Sequence, residues 1–215
     1  TAGTGVIRAN VNQNVFLTEL TNAGNLQADN NTDLGLSGTI HNTGSITSTS
    51  TGSGTDIEIQ AGGATLTGGG TVTLVGSSGN AGINASPTGA RLTNVDNTIQ
   101  GQGRIGQSTA AITNQAAGLI DANVNGQTLT LDPVTTATDE KDEFINLGTV
   151  QASNGGILVL SGSGTGDFTN TGGTIQALDN SEVQLTTNAS ITGGTLTTAG
   201  TGVIRANVNQ NVFLT

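Results

Sequence analysis

The chain contains no cysteine, methionine, tryptophan or tyrosine, and only two prolines and four phenylalanines. Without cysteine there is neither a disulfide framework nor thiolate chemistry. So few rings exclude a wide aromatic core, and they exclude a sugar cleft floored by Trp or Tyr. Positive charge is scarce too: five basic residues stand against fifteen acidic ones, for a net charge of −10. Nucleic acid therefore finds no electrostatic footprint. Charged residues of either sign make up only 9% of the chain, so it is no polyelectrolyte tail. No run of about 18 apolar residues occurs, which leaves no segment able to cross a membrane as a helix. The single histidine, His41, has no second His or Cys to share a transition metal with.

Abundance lies elsewhere. Glycine (34), threonine (38) and asparagine (23) together supply 44% of the residues. Val, Ile, Leu and Phe supply 51 residues, 24% of the chain, above the level of about 20% below which disorder is the default.

Repeats come first, because a missed repeat misassigns the fold. Residues 1–18, TAGTGVIRANVNQNVFLT, recur without a mismatch as residues 198–215, an offset of 197. Folding tolerates many substitutions, so an unbroken identity of this length points to tandem duplication. We therefore expect a window on a longer array, with residues 1–197 as one unit and residues 198–215 as the start of the next.

A shorter pattern runs inside the unit. Its clearest copies are NAGNLQA (22–28), NTGSITS (42–48), NLGTVQA (146–152) and NTGGTIQA (170–177). Two residues after each glycine stands an aliphatic column: Leu26, Ile46, Val72, Ile105, Ile120, Val150, Ile175 and Leu196. Upstream stands a second one: Leu20, Ile40, Leu66, Ile99, Ile112, Phe144, Phe168 and Ile191. Two residues beyond each of these comes Asn22, Asn42, Gly68, Gly101, Asn114, Asn146, Asn170 or Gly193. Asn and Gly enter the left-handed conformation most cheaply, so this third column reads as a repeated corner. A further alternating segment lies between copies, as in DLGLS (33–37), DIEIQ (56–60) and EVQLT (182–186). The template fits worst around residues 75–92.

Alternation with period two in runs of four to six residues argues for strands, and nothing sustains a helical period. Three short strands per step of about 25 residues cannot bury their apolar rows alone; stacked steps bury them as continuous ladders. The expected fold is all-β, a right-handed parallel β-helix with about eight coils per 197-residue unit and three strands per coil. One Leu, Ile or Val per strand fills its narrow interior, Thr and Gln face outward, and corner asparagines bond along the stack.

These units, with ITNQAAGLIDA (112–122) and GGTLTTAG (193–200), resemble the right-handed β-helix exoproteins of bacteria: autotransporter passengers and filamentous-haemagglutinin-type two-partner-secreted adhesins. The resemblance implies export, an extracellular or cell-surface location, a long rod and commonly adhesion. On that reading the partners are neighbouring units end to end, other filaments, and cell-surface or biofilm-matrix polysaccharide. Nucleic acid is not among them.

Chemistry was sought along the same chain. Glycoside cleavage needs two carboxylates facing across a sugar bond, whereas Asp56 and Glu58 stand two apart on one strand and project the same way. GQGRIG (101–106) opens no helix and reads as a coil corner rather than a nucleotide loop. His41 stands in a column that otherwise reads Thr21, Thr67, Thr113, Thr169 and Thr192, an outward position. Asp139, Glu140, Asp142 and Glu143 form an exposed acidic loop that could hold Ca²⁺ loosely; no other metal or cofactor is expected. The expectation is a structural or adhesive module, not an enzyme. The alternative is a polysaccharide-binding or polysaccharide-cleaving β-helix.

Overall fold

The computed structural model describes residues 2–76, 80–135, 143–162, 168–207 and 211–215. Among them the chain is a parallel β-helix with three faces and no helix. Between the first and last coils, each strand pairs in parallel with the strand one coil before and one coil after it.

The first face stacks Ile7, Leu26, Ile46, Val72, Ile99, Ile120, Val150, Ile175 and Leu196, nine rungs in register. The second stacks Val15, Leu34, Ile57, Ile83, Ile105, Leu131, Leu160 and Leu185. The third carries Leu20, Ile40 and Leu66, then Leu92, Ile112, Phe144, Phe168 and Ile191. Alternation does the sorting. Strand Thr174–Ala177 buries Ile175 and Ala177 and turns Thr174 and Gln176 partly to solvent. Inward side chains two residues after the first-face aliphatic are small where the chain bends sharply: Ala28, Ala122, Ala152 and Ala177 are wholly buried. Adjacent rungs lie about 4.8 Å apart, so each aliphatic meets its equivalent above and below.

The structure departs from the sequence template in one stretch. Ile99, placed by the sequence in the upstream column with Leu20 and Ile40, lies on the first face between Val72 and Ile120. Ile105, assigned to the first face, lies on the second between Ile83 and Leu131. Gly101 does not stand at the corner that Asn22 and Asn42 occupy; it pairs with Leu74 at the end of the first face. The physical reason is the connection it belongs to. Gly101 and Gly103, at φ values of 113° and 146°, turn from the first face to the second with only Gln102 between them. The Gly-x-aliphatic spelling of GQGRI thus marks a different bend from the one it marks elsewhere. In that coil Leu92 and Asn94 take the third face and pair with Ile112 and Asn114. The third face slips by two residues to reach this register, since Leu92 opposes Ala64 and Asn94 opposes Leu66.

Candidate functional site

Three places in the molecule merit a functional reading: the asparagine column, the polar groups on the outer faces, and the two ends of the stack.

The asparagines are buried at 0–1% exposure at Asn22, Asn42, Asn94, Asn114, Asn146 and Asn170. Asn22 Nδ2 donates to Asn42 Oδ1 at 2.8 Å. Further along, Asn94 donates to Asn114, Asn114 to Asn146 and Asn146 to Asn170, at 2.8–2.9 Å. Each amide points the same way along the stack. Gly68 supplies no amide for its coil, and Asn97 closes that gap: Asn42 Nδ2 donates to Asn97 Oδ1 at 2.9 Å. Asn94 and Asn97 are then joined reciprocally, side chain to backbone, at 2.8 and 3.0 Å. At the far end Gly193 and Gly194 replace the asparagine. A side chain on Gly194 would collide with the carbonyl of Asn170.

These asparagines are not in the left-handed conformation that the corner reading assigned to them. None of the six has positive φ, and the column is held by hydrogen bonds between their buried side chains. The left-handed asparagines are a separate set: Asn12, Asn31, Asn154 and Asn180 at the turn from the first face to the second, and Asn188 between the second face and the third, with φ between 51° and 61°. Only the glycines of the expected corner, Gly68, Gly101 and Gly193, have positive φ.

On the outer second face, Asp56 accepts from Gln107 Nε2 at 2.6 Å and from Asn84 Nδ2 at 3.1 Å. Gln107 reaches it across two coils because Gly82 between them has no side chain to block the path. Burial raises the Asp56 pKa above its ordinary value of 3.8; the Gln107 hydrogen bond opposes this, neighbouring Asp33 and Glu58 reinforce it, and Arg104 opposes it. A raised pKa means that the folded state binds the proton more tightly than the unfolded one, so stability falls as pH climbs from 3.8 through the folded value. Asp56→Asn removes that decline. Its new amide replaces the oxygen that accepts from Asn84 Nδ2, and a flip of the Asn84 amide turns Oδ1, a buried oxygen with no hydrogen-bond partner, to accept from it. The expected result in thermal melts is a stability difference, variant over parent, that grows from acid to neutral pH. A difference that does not change with pH would show that Asp56 titrates as in the unfolded chain.

His41 is exposed and its Nδ1 lies 3.2 Å from Thr67 Oγ1, in the outward column. Asp139, Glu140 and Asp142 lie outside the described residues, while Glu143 is buried at 3% exposure beside Phe144. No cluster of three potential metal ligands occurs among the described residues. The short Gly101–Gly103 connection leaves a recess of about 400 Å³ between longer neighbouring turns, lined by Gly76, Gln102, Arg104 and Gln127 among others. Arg104 is ion-paired there with Asp132 at 3.0 Å.

Apolar side chains meet solvent mostly in the first and last coils, with Val75 and Leu147 exposed between them. At one end Val6, Ile7 and Phe16 are 47%, 50% and 61% exposed. At the other, Val203, Phe213 and Leu214 are 46%, 46% and 59% exposed, and Leu196 closes the first-face column at 36%. Each end also presents unpaired strand edges, the groups most ready to accept another strand. Compared with protein-family models, with curated proteins and with solved structures, the chain matches none of them.

Proposed function

We propose that the chain is a structural and adhesive module, one unit of a long extracellular or cell-surface rod built by repeating the 197-residue segment. The observation that carries this reading is the identity of residues 1–18 and 198–215 at opposite open ends of one parallel stack. A stack whose first and last coils both present inward aliphatics gains by being continued, because each added coil covers an apolar row and an edge. The function is mechanical: interior ladders and inter-coil hydrogen bonds make a stiff spacer whose length follows the number of units. Neighbouring units are its first partners, and outer faces rich in Thr, Gln and Asn suit contact with other filaments or with polysaccharide.

The test is length. Chains of one, two and three units, imaged by electron microscopy or measured by small-angle scattering, are expected to lengthen by about 38 Å per unit, eight coils at about 4.8 Å each. A two-unit chain that folds into a particle no longer than one unit overturns the reading.

A further inference from the structure

One connection in the stack is short. Between the first face and the second, five residues link Thr71–Val75 to Ala81–Ser86, and five link Leu119–Ala122 to Thr128–Leu131. In the coil between them, Thr98–Gly101 and Gly103–Ile105 are joined by Gln102 alone. So tight a bend needs glycine on both sides: a Cβ on Gly101 would collide with the carbonyl of Leu74, and one on Gly103 with that of Ala81. The missing length leaves the recess of about 400 Å³. Its lining comes from these three successive coils in mid-chain, and no aliphatic or aromatic side chain contributes to it. The groups that do are polar and without partners. Of the eleven described glutamines, eight have side chains hydrogen-bonded to another residue, among them Gln107 to Asp56 and Gln176 to Gln151. The three that do not are Gln102, Gln115 and Gln127, and two of these line the recess. The hydroxyls of Thr128 and Thr130 share the lining, likewise without a hydrogen-bond partner in the protein.

We infer that this recess is a binding site for a neutral saccharide, present once in each unit. The inference deepens the polysaccharide contact proposed above and rests on it. A primary amide offers two donors and an acceptor, and a hydroxyl both donates and accepts. Four such groups in one recess therefore match the adjacent hydroxyls of a pyranose, each of which also does both. Charge disfavours acidic sugars. Arg104 is the one cation among the lining residues, Asp132 neutralises it at 3.0 Å, and the chain as a whole carries −10. The lack of an apolar wall disfavours lipid and aromatic ligands. The volume lies within the range of about 300–1,000 Å³ typical of small-ligand sites. With no aromatic ring to stack on the sugar, each contact is weak, and repetition compensates. A rod presents the recess at intervals of about 38 Å, so a long polymer is held at several points at once.

The test is a titration of cellotetraose, maltotetraose, mannotetraose and tetragalacturonate into the full, isotope-labelled chain, followed by amide chemical shifts. Saturable shifts are expected in the side-chain amides of Gln102 and Gln127 and in the backbone amides of Gly103 and Arg104. They are expected with at least one neutral sugar and not with tetragalacturonate. Gln102→Ala with Gln127→Ala is expected to weaken binding about tenfold or more, because each lost amide removes hydrogen bonds worth severalfold in affinity. Gln127 is exposed and Gln102 half-buried, so this variant is expected to melt with the parent chain. Thr149→Ala with Thr174→Ala, at outward positions of the first face, is expected to leave binding unchanged. The inference is overturned if no neutral sugar shifts the recess amides or if tetragalacturonate alone does. It is overturned equally if the first-face variant weakens binding as much as the recess variant. Should the recess variant not fold, the shifts on the parent chain decide. The series of one, two and three units reports on the rod, and these titrations on a single chain, so either can fail without the other.

Discussion

Phe168→Ala is expected to cost about 3–5 kcal/mol of stability, the range for deleting a buried aromatic ring. Phe168 and Phe144 are wholly or almost wholly buried, and their rings meet at a centroid distance of 5.3 Å and a tilt of 58°. They fill consecutive rungs of the third face between Ile112 and Ile191. Elsewhere one aliphatic fills each such rung, whereas these two coils are filled by the ring pair. The void cannot collapse easily, because backbone ladders fix the rungs about 4.8 Å apart. That places the loss toward the upper part of the range. In a solenoid, stability is close to a sum of coil and interface terms. A weakened central coil therefore uncouples the stack, and the denaturant transition is expected to broaden as well as shift. Phe16→Ala is the control. Phe16 is 61% exposed, lying across Gly35 on the outside of the stack, and its loss is expected to stay within about 0.5 kcal/mol. Equal shifts in urea for the two variants would show that the interior ring pair is not a structural support.

The contrast between those two phenylalanines indicates where sequence carried structural information. Phe144 and Phe168 were legible because each stands two residues before an asparagine, in FIN and FTN, where other coils read LTN or ITN. The same spelling, LTN at residues 92–94, marks the third-face strand that the template missed. It was masked by the nearby Gly-x-aliphatic run GQGRI, whose glycines serve a tighter bend. The inward aliphatic rows followed from alternation, a property of each strand by itself. The role of the asparagines followed in part: bonding along the stack was expected and is found, whereas the left-handed backbone was not. An asparagine held for its backbone and one held for its amide are spelled alike, and only the stacking of coils joins these six, through Asn97, into one hydrogen-bonded column.

Asn114→Asp, a change of one atom type, is expected to cost about 3–5 kcal/mol at neutral pH, comparable to leaving a buried charge uncompensated. Asn114 is wholly buried, accepts from Asn94 Nδ2 at 2.9 Å, and donates to Asn146 Oδ1 at 2.9 Å and to the carbonyls of Gly118 and Thr149 at 3.1 Å. A carboxylate keeps the single accepted bond and turns its other oxygen toward three acceptors. Both burial and those oxygens disfavour the anion, so the introduced acid holds its proton to higher pH in the folded state than in the unfolded one. Stability of the variant then falls as pH rises from the ordinary carboxylate value through the folded one, and is recovered on acidification. In the protonated form one O–H replaces an NH₂ that served three acceptors, leaving a residual deficit of about 1–3 kcal/mol. The expected pattern is a midpoint difference from the parent chain that is modest in acid and large near neutrality. Asn25→Asp, at an exposed first-face position, is expected to show neither the loss nor the pH dependence. If Asn114→Asp matched Asn25→Asp at neutral pH, the amide column would have to be solvated, and a water-filled corner could not stiffen the stack.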